Sequence, residues 1–326
     1  MRALVTTRPG GPEVLELRDV PAPRAGAGDV LVRVAASGLN RADLSQIAGR
    51  YPAPEGWPQE IPGLEFAGVV EAAGEGVHRP RVGDRVMGLL GGGGLAELVR
   101  CPAVHALPIP ASLSFEEAAA IPEAFITAHD ALFTQARLRG GETVLVHAVG
   151  SGVGTAALQL AHAVDARVIG TSRSPDKLRR AAELAPLVAI DTSGDDFAEA
   201  VLRATEGRGV DVVLELVGGD YLPGDVRALA LHGRILVVGL IRGREAVLDM
   251  GALMRRRARL IGTTLRARTD AEKASATWAF AGHALPLFGM GRLKAVVSAV
   301  HPPEEAVQAL ASMRDGESFG KLVIRW

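Results

Sequence analysis

The chain has 326 residues, a formal net charge of −1, 48% hydrophobic residues and 22% charged residues. That length suits two domains better than one hydrophobic core, and the balanced charge gives no overall electrostatic case for a nucleic-acid or acidic-membrane partner. A single cysteine, Cys101, excludes an internal disulfide and a cysteine-rich zinc site. The first residues carry no signal-peptide pattern. Apolar runs such as 235–241 fall far short of the ~20 residues of a membrane span, so a cytoplasmic protein is expected.

Short or alternating apolar runs at residues 2–6, 14–17, 30–35, 68–72, 85–89 and 97–100 lie between Pro- and Gly-rich segments. They predict the strands of a small barrel or sandwich. The glycines at 91–94 fall between two such runs, which favours a hairpin loop or a close backbone approach over a linker. From about residue 119 the texture changes. Short apolar strands at 144–146, 167–171, 188–190, 212–216, 235–238 and 260–263 are mostly separated by helix-length segments. Residues 156–164, 175–184 and 197–205 repeat apolar positions every three or four residues. Strand alternating with helix predicts a doubly wound, parallel Rossmann sheet. A helix at 303–313 and a strand at 321–325 close the chain and are expected to pack on the N-terminal domain.

The segment from Val144 through Val149, Gly150, Ser151, Gly152, Val153 and Gly154 reads as a strand entering a glycine turn, with a helix from Thr155. Such a turn lets backbone N–H groups and the helix dipole meet a pyrophosphate. Val149 stands where a strict G-x-G-x-x-G would begin, so the turn gains its force from its place at the first βα unit. Enzymes that use NAD place an acid about 20 residues further on. Here the next strand ends in Ser172-Arg173-Ser174, with Lys177 a turn later. Two cations and hydroxyls suit the 2′-phosphate of NADPH; the plainer reading is a capped helix with a solvated face.

Motifs spread along the chain now carry a resemblance. They are Gly38-Leu39-Asn40-Arg41-Ala42-Asp43, Gly49-Arg50-Tyr51-Pro52, Ile61-Pro62-Gly63-Leu64-Glu65, Val82-Gly83-Asp84-Arg85-Val86, Ala118-Ala119-Ala120-Ile121-Pro122 and Gly320-Lys321-Leu322-Val323. From end to end the chain resembles the quinone oxidoreductase (zeta-crystallin-like) branch of the medium-chain dehydrogenase/reductase superfamily. Glu123 and the 264–268 segment look like its tumour-suppressor-inducible NADPH quinone oxidoreductase subgroup. The resemblance implies a GroES-like catalytic domain, residues 1–118 completed by 286–326, and a Rossmann domain, residues 119–285. It further implies that Thr127 and Asn40 face the nicotinamide, that Gly239 and Leu240 lend it backbone, and that Ser318 and Lys321 lie near the cofactor. Ser172, Ser174 and Lys177 match the 2′-phosphate region. Zinc-dependent relatives hold a metal where this chain has Asn40 and Leu64, and leucine cannot coordinate zinc. No metal is expected. His147 and His129 read as packed or hydrogen-bonded structural residues.

Without a Lewis acid, hydride transfer to a conjugated acceptor is easier than reduction of an isolated ketone, because the charge spreads to an oxygen. The expected activity is NADPH-dependent reduction of a quinone or related conjugated carbonyl. The alternatives are an enone, alkenal or enoyl-thioester reductase and, in another class, a non-catalytic NADPH-binding protein. Tyr51 either presents its hydroxyl to the acceptor or packs under a loop. Arg41 and Asp43 read as a local helix-surface or domain-interface arrangement, with ligand contact as the lesser alternative. Trp57 walls the pocket or covers the barrel. A homodimer joined through the sheet edge near 235–238 and 260–263 is expected.

Overall fold

The computed structural model describes residues 1–194 and 196–326. Its strands are β1 Arg2–Thr6, β2 Leu15–Asp19, β3 Asp29–Gly38, β4 Glu65–Ala73, β5 Arg85–Leu89, β6 Leu98–Pro102, β7 Ala106–Pro108, β8 Thr143–Val146, β9 Arg167–Ser172, β10 Val188–Asp191, β11 Val210–Glu215, β12 Leu229–Val237, β13 Arg259–Gly262, β14 Val297–His301 and β15 Lys321–Arg325. Its α-helices are α1 Arg41–Ile47, α2 Phe115–Ala119, α3 Pro122–His129, α4 Gly152–Ala163, α5 Pro175–Leu184, α6 Phe197–Ala204, α7 Tyr221–Ala228, α8 Met250–Arg256, α9 Asp270–His283, α10 Leu285–Gly289 and α11 Ala306–Asp315. They gather into two compact units: residues Met1–Ile126 with Leu265–Trp326, and residues Thr127–Thr264.

In the first unit β1 and β2 form an antiparallel pair, and seven strands form a sheet in the order β14-β15-β3-β4-β5-β7, with β6 also on β3. Alternation along β3 sends Val30, Val32 and Val34 into a core shared with Phe66, Val70 and Val86. The glycine run is a close backbone approach: a Cβ on Gly63 would lie 2.4 Å from the Leu95 nitrogen and 2.6 Å from the Gly94 carbonyl carbon. The last strand, β15, pairs antiparallel with β3.

Residues 119–126 and 265–285, expected in the Rossmann domain, gather with the first compact unit. Aromatic and polar contacts hold them there. Phe125 meets Phe288 edge-on at 4.9 Å, the Asp270 carbonyl lies 2.9 Å from His105 Nε2, and Trp278 donates to the Val104 carbonyl at 3.0 Å.

The second unit is a six-stranded parallel sheet in the order β10-β9-β8-β11-β12-β13. The strand order reverses between β8 and β11, which makes that crevice the usual binding point of a doubly wound sheet. Only β13 of the two strands expected at the open edge lies there, because β12 is bonded on both sides. Helix α4 starts at Gly152, three residues before the predicted start, since Ser151 Oγ accepts the Gly154 N–H at 3.0 Å and caps it.

Candidate active site

The candidate residues divide between the units. Thr127, the glycine turn, the Ser172–Lys177 region, Gly239 and Leu240 belong to the second; Asn40, Tyr51, Ser318 and Lys321 belong to the first.

In the second unit the parallel strands bring three loops to one edge of the sheet. The turn Gly150–Gly154 follows β8, Ser172-Arg173-Ser174 closes β9, and Gly239-Leu240 follows β12. Gly154 is required for α4 to approach β8, because a Cβ there would lie 2.4 Å from the Ala148 carbonyl oxygen. Gly239 is required by a similar approach, 2.4 Å, to the Leu216 carbonyl oxygen. Val153 starts α4 half-buried. After β9, Ser172 Oγ accepts the Ser174 N–H at 3.1 Å, and Ser174 caps α5. Arg173 is exposed and Lys177 half-buried. No acid occupies this strand end, and two cations do. The second unit thus fits a dinucleotide at the pyrophosphate turn and at the ribose.

Beneath these loops lies a cluster that the sequence did not disclose. His147, Glu215 and Asp225 are fully buried, and their polar atoms meet in one place. His147 Nδ1 lies 2.8 Å from Thr171 Oγ1 and Nε2 lies 2.7 Å from Asp225 Oδ1. Glu215 Oε1 accepts the N–H groups of Val217 and Gly218 and so pins the loop after β11. Burial raises Glu215 to about 8, with help from its hydrogen bond to Asp225, and raises Asp225 to about 7. It lowers His147 to about 4. The imidazole is therefore neutral at pH 7, and Glu215 largely keeps its proton. This supports the structural role expected of His147. Tyr221, from α7, stacks on Phe197 and donates to Thr192 Oγ1 at 3.2 Å.

In the first unit one carboxylate organises the polar residues. Glu65 Oε1 receives Asn40 Nδ2 at 2.9 Å and Lys321 Nζ at 2.6 Å, while Oε2 accepts the backbone N–H of Glu123 at 2.8 Å. Lys321 Nζ also donates to Asn40 Oδ1 and to the Leu39 carbonyl. Lys321 therefore holds its ammonium among partners of its own unit, at 5% exposure. Asp43 accepts from the N–H groups of Asn40 and Gly63, which fixes the start of α1. Burial lifts Asp43 to about 6 despite those bonds. It is buried in its own unit, whereas Arg41 is exposed and donates to the Met313 carbonyl.

The same arrangement tests the fit of a zinc ion. Leu64 is buried and offers no ligand atom, and the amide oxygen of Asn40 is occupied by an ammonium. These donors do not fit a catalytic zinc.

Tyr51 is held from behind. Arg266 donates to the Tyr51 carbonyl at 2.9 Å, to the Gly91 carbonyl at 2.8 Å and to Gln46 Oε1, and its guanidinium lies 4.8 Å from the centre of the Tyr51 ring. Trp57 packs against the barrel core and lines a pocket of about 300 Å³ with Asp29, Glu55, Arg100 and Asp270. Ser318 is half-buried in the loop before β15, and Thr127 is half-buried on α3. Sequence reasoning passed over Arg266 and Glu65 as site residues. Their signal was weak: a charged residue inside an apolar or glycine-rich motif.

The fold thus comprises a doubly wound parallel sheet and a mainly β unit whose residues Asn40 and Leu64 do not fit a catalytic zinc. Residues 152–280 match the zinc-binding dehydrogenase family, and residues 26–111 match the alcohol dehydrogenase GroES-like domain. The chain is 32% identical over 327 residues to a quinone oxidoreductase of Rattus norvegicus, covering 99% of this chain and 97% of that protein. It is 34% identical over 324 residues to the phthioceranic/hydroxyphthioceranic acid synthase of Mycobacterium tuberculosis. That match takes in 99% of this chain, which spans only 15% of the synthase's length.

Among solved structures, an NAD-dependent alcohol dehydrogenase superposes with a TM-score of 0.90 at 35% identity, covering 100% of both chains. The CurK enoyl reductase gives 0.88 at 28%, covering 99% of this chain and 98% of that one. Mycobacterial Rv1454c complexed with NADPH gives 0.90 at 27%, covering 100% of both. The chain belongs to the quinone oxidoreductase/VAT-1-like branch of the medium-chain dehydrogenase/reductase superfamily. Among the described residues, no helix is long and apolar enough to cross a membrane.

Proposed function

We propose that this protein uses NADPH to reduce quinones or related conjugated carbonyl compounds by hydride transfer. Within its branch we place it beside the tumour-suppressor-inducible NADPH quinone oxidoreductases, on Glu123 and the 264–268 segment. The observation that carries the reading is that Asn40, which stands with Leu64 where zinc-dependent relatives hold their metal, is bound instead by Lys321 and Glu65. A pocket without a Lewis acid favours acceptors that spread the arriving charge through conjugation. NADPH, when bound, supplies the hydride. Asn40 is the residue positioned for the carboxamide or ribose, held rigid by Lys321 and Glu65, and Tyr51 is the candidate hydroxyl for the acceptor. Arg173 and Lys177 support NADPH over NADH, and the structural likeness to Rv1454c in complex with NADPH agrees.

The test is oxidation of NADPH and of NADH against a panel of quinones and enones, before and after dialysis with a chelator. Turnover with NADPH that survives chelation is expected. Loss of turnover that only zinc restores would overturn the reading. The likeness to the CurK enoyl reductase favours a second reading, reduction of an enoyl thioester, and the same panel extended to such thioesters decides it.

A further inference from the structure

Hydride transfer to a conjugated carbonyl leaves an oxygen anion, and the reaction is complete only when a proton arrives. We infer that Glu123 is the acid that delivers it, an inference that rests on the hydride-transfer reading above. Glu123 lies in the first turn of α3, where Glu65 Oε2 holds its backbone N–H at 2.8 Å. The other oxygen of Glu65 binds Asn40, so one carboxylate ties Glu123 to the residue expected at the nicotinamide.

The acids of this cluster are not equivalent. Glu65 accepts from Asn40, Lys321 and the Glu123 backbone, and Asp43 from two backbone N–H groups. Among the described residues nothing hydrogen-bonds the Glu123 carboxyl, and the residue is half-buried, neither sealed in the core nor open to bulk water. The charges that act on it are Glu65, Lys321, Asp43 and Arg266. Burial comes first and the Glu65 charge second in raising its pKa to about 8; Asp43 adds to the rise, while Lys321 and Arg266 oppose it. An uncommitted carboxyl that keeps its proton at pH 7 is the form a general acid requires.

The step balances. The C–H bond of the dihydronicotinamide breaks, and its electron pair forms a C–H bond at the electrophilic carbon of an enone. The displaced π electrons reach the carbonyl oxygen. The O–H bond of Glu123 then breaks, its proton goes to the enolate, and the carboxylate left behind takes a new proton from water. For a quinone the hydroquinone oxygen takes the enolate's part.

The experiment compares wild type, Glu123→Gln, Glu123→Asp and Tyr51→Phe. In protein without cofactor, infrared difference spectra between wild type and Glu123→Gln should show a protonated carboxyl that titrates near 8. An ordinary carboxyl value near ~4 would overturn the proposal. With NADPH and an acceptor, wild-type kcat should fall as pH rises through about 8, because the acid is lost. Glu123→Gln should lose roughly 10²- to 10⁴-fold in kcat along with that limb, with NADPH affinity unchanged. Glu123→Asp should keep the limb and part of the rate. Activity unchanged in Glu123→Gln, or a limb lost in Tyr51→Phe instead, would sink Glu123 alone. Absence of wild-type turnover with every acceptor would sink the hydride-transfer reading and this step with it. Loss of NADPH affinity in step with kcat would show a structural role and overturn the proposal.

Discussion

Lys321 and Glu65 meet at 2.6 Å with both side chains withdrawn from water. Two buried charges in contact offset much of each other's desolvation, and removing one leaves the other uncompensated, at a cost of about 3–5 kcal/mol. Lys321→Met should therefore lower the melting temperature by several degrees, at about 2–4 °C per kcal/mol. It should also free the Asn40 amide. The double variant Lys321→Met/Glu65→Gln should recover part of the loss, since it no longer strands a carboxylate. Equal melting temperatures for wild type and Lys321→Met would show that the pair carries no such load. At this scale the sequence was only partly legible. The match to Gly320-Lys321-Leu322-Val323 put Lys321 near the site. Its partners could not be read, because Asn40, Glu65 and Lys321 lie up to 281 positions apart and are joined by the β15–β3 pairing.

At the scale of elements, the loop after β9 makes the sharpest claim about the cofactor. Arg173 is exposed and Lys177 half-buried on the first turn of α5, whose N-terminus itself favours a phosphate. Charge-assisted hydrogen bonds contribute about 1.5–3 kcal/mol each, and less where salt and water screen them. Arg173→Ala or Lys177→Ala should then weaken NADPH binding roughly 10- to 100-fold at fixed ionic strength. NADH has no 2′-phosphate, so its weaker binding should barely move. Titration of both cofactors against wild type, each single variant and the double variant checks this. Equal affinities for NADH and NADPH in wild type would return these residues to the plain role of a capped helix. The loop was readable from sequence because strand, hydroxyls and cations are contiguous. The exact start of α4 was not, because Ser151 reads as part of the glycine turn until its cap on Gly154 is seen.

For the molecule as a whole, the open edge of the parallel sheet is the feature with a consequence in solution. β13 ends the sheet, Leu260 on it is 42% exposed, and Val247, Met250 and Met254 in the preceding segment are exposed. Edge strands with apolar side chains pair readily with a second copy. Light scattering at micromolar concentration should give twice the chain mass, and Leu260→Lys should shift it toward one chain. A wild-type mass of one chain would remove the dimer.

What the sequence determined by itself is what contiguous residues can encode. Apolar period marked the parallel strands of the second unit. Leu64 excluded a zinc ligand at its position, and the missing acid after β9 pointed to a phosphorylated ribose. Only the tertiary structure decided where the units divide, that β12 lies inside the sheet and that Lys321 is an internal counter-ion. It also decided that His147, Glu215 and Asp225 share one buried pocket. The reason is physical. Local pattern reports which face of an element is apolar, whereas the state of a buried charge depends on partners from distant segments, and those partners are chosen by how the sheets close.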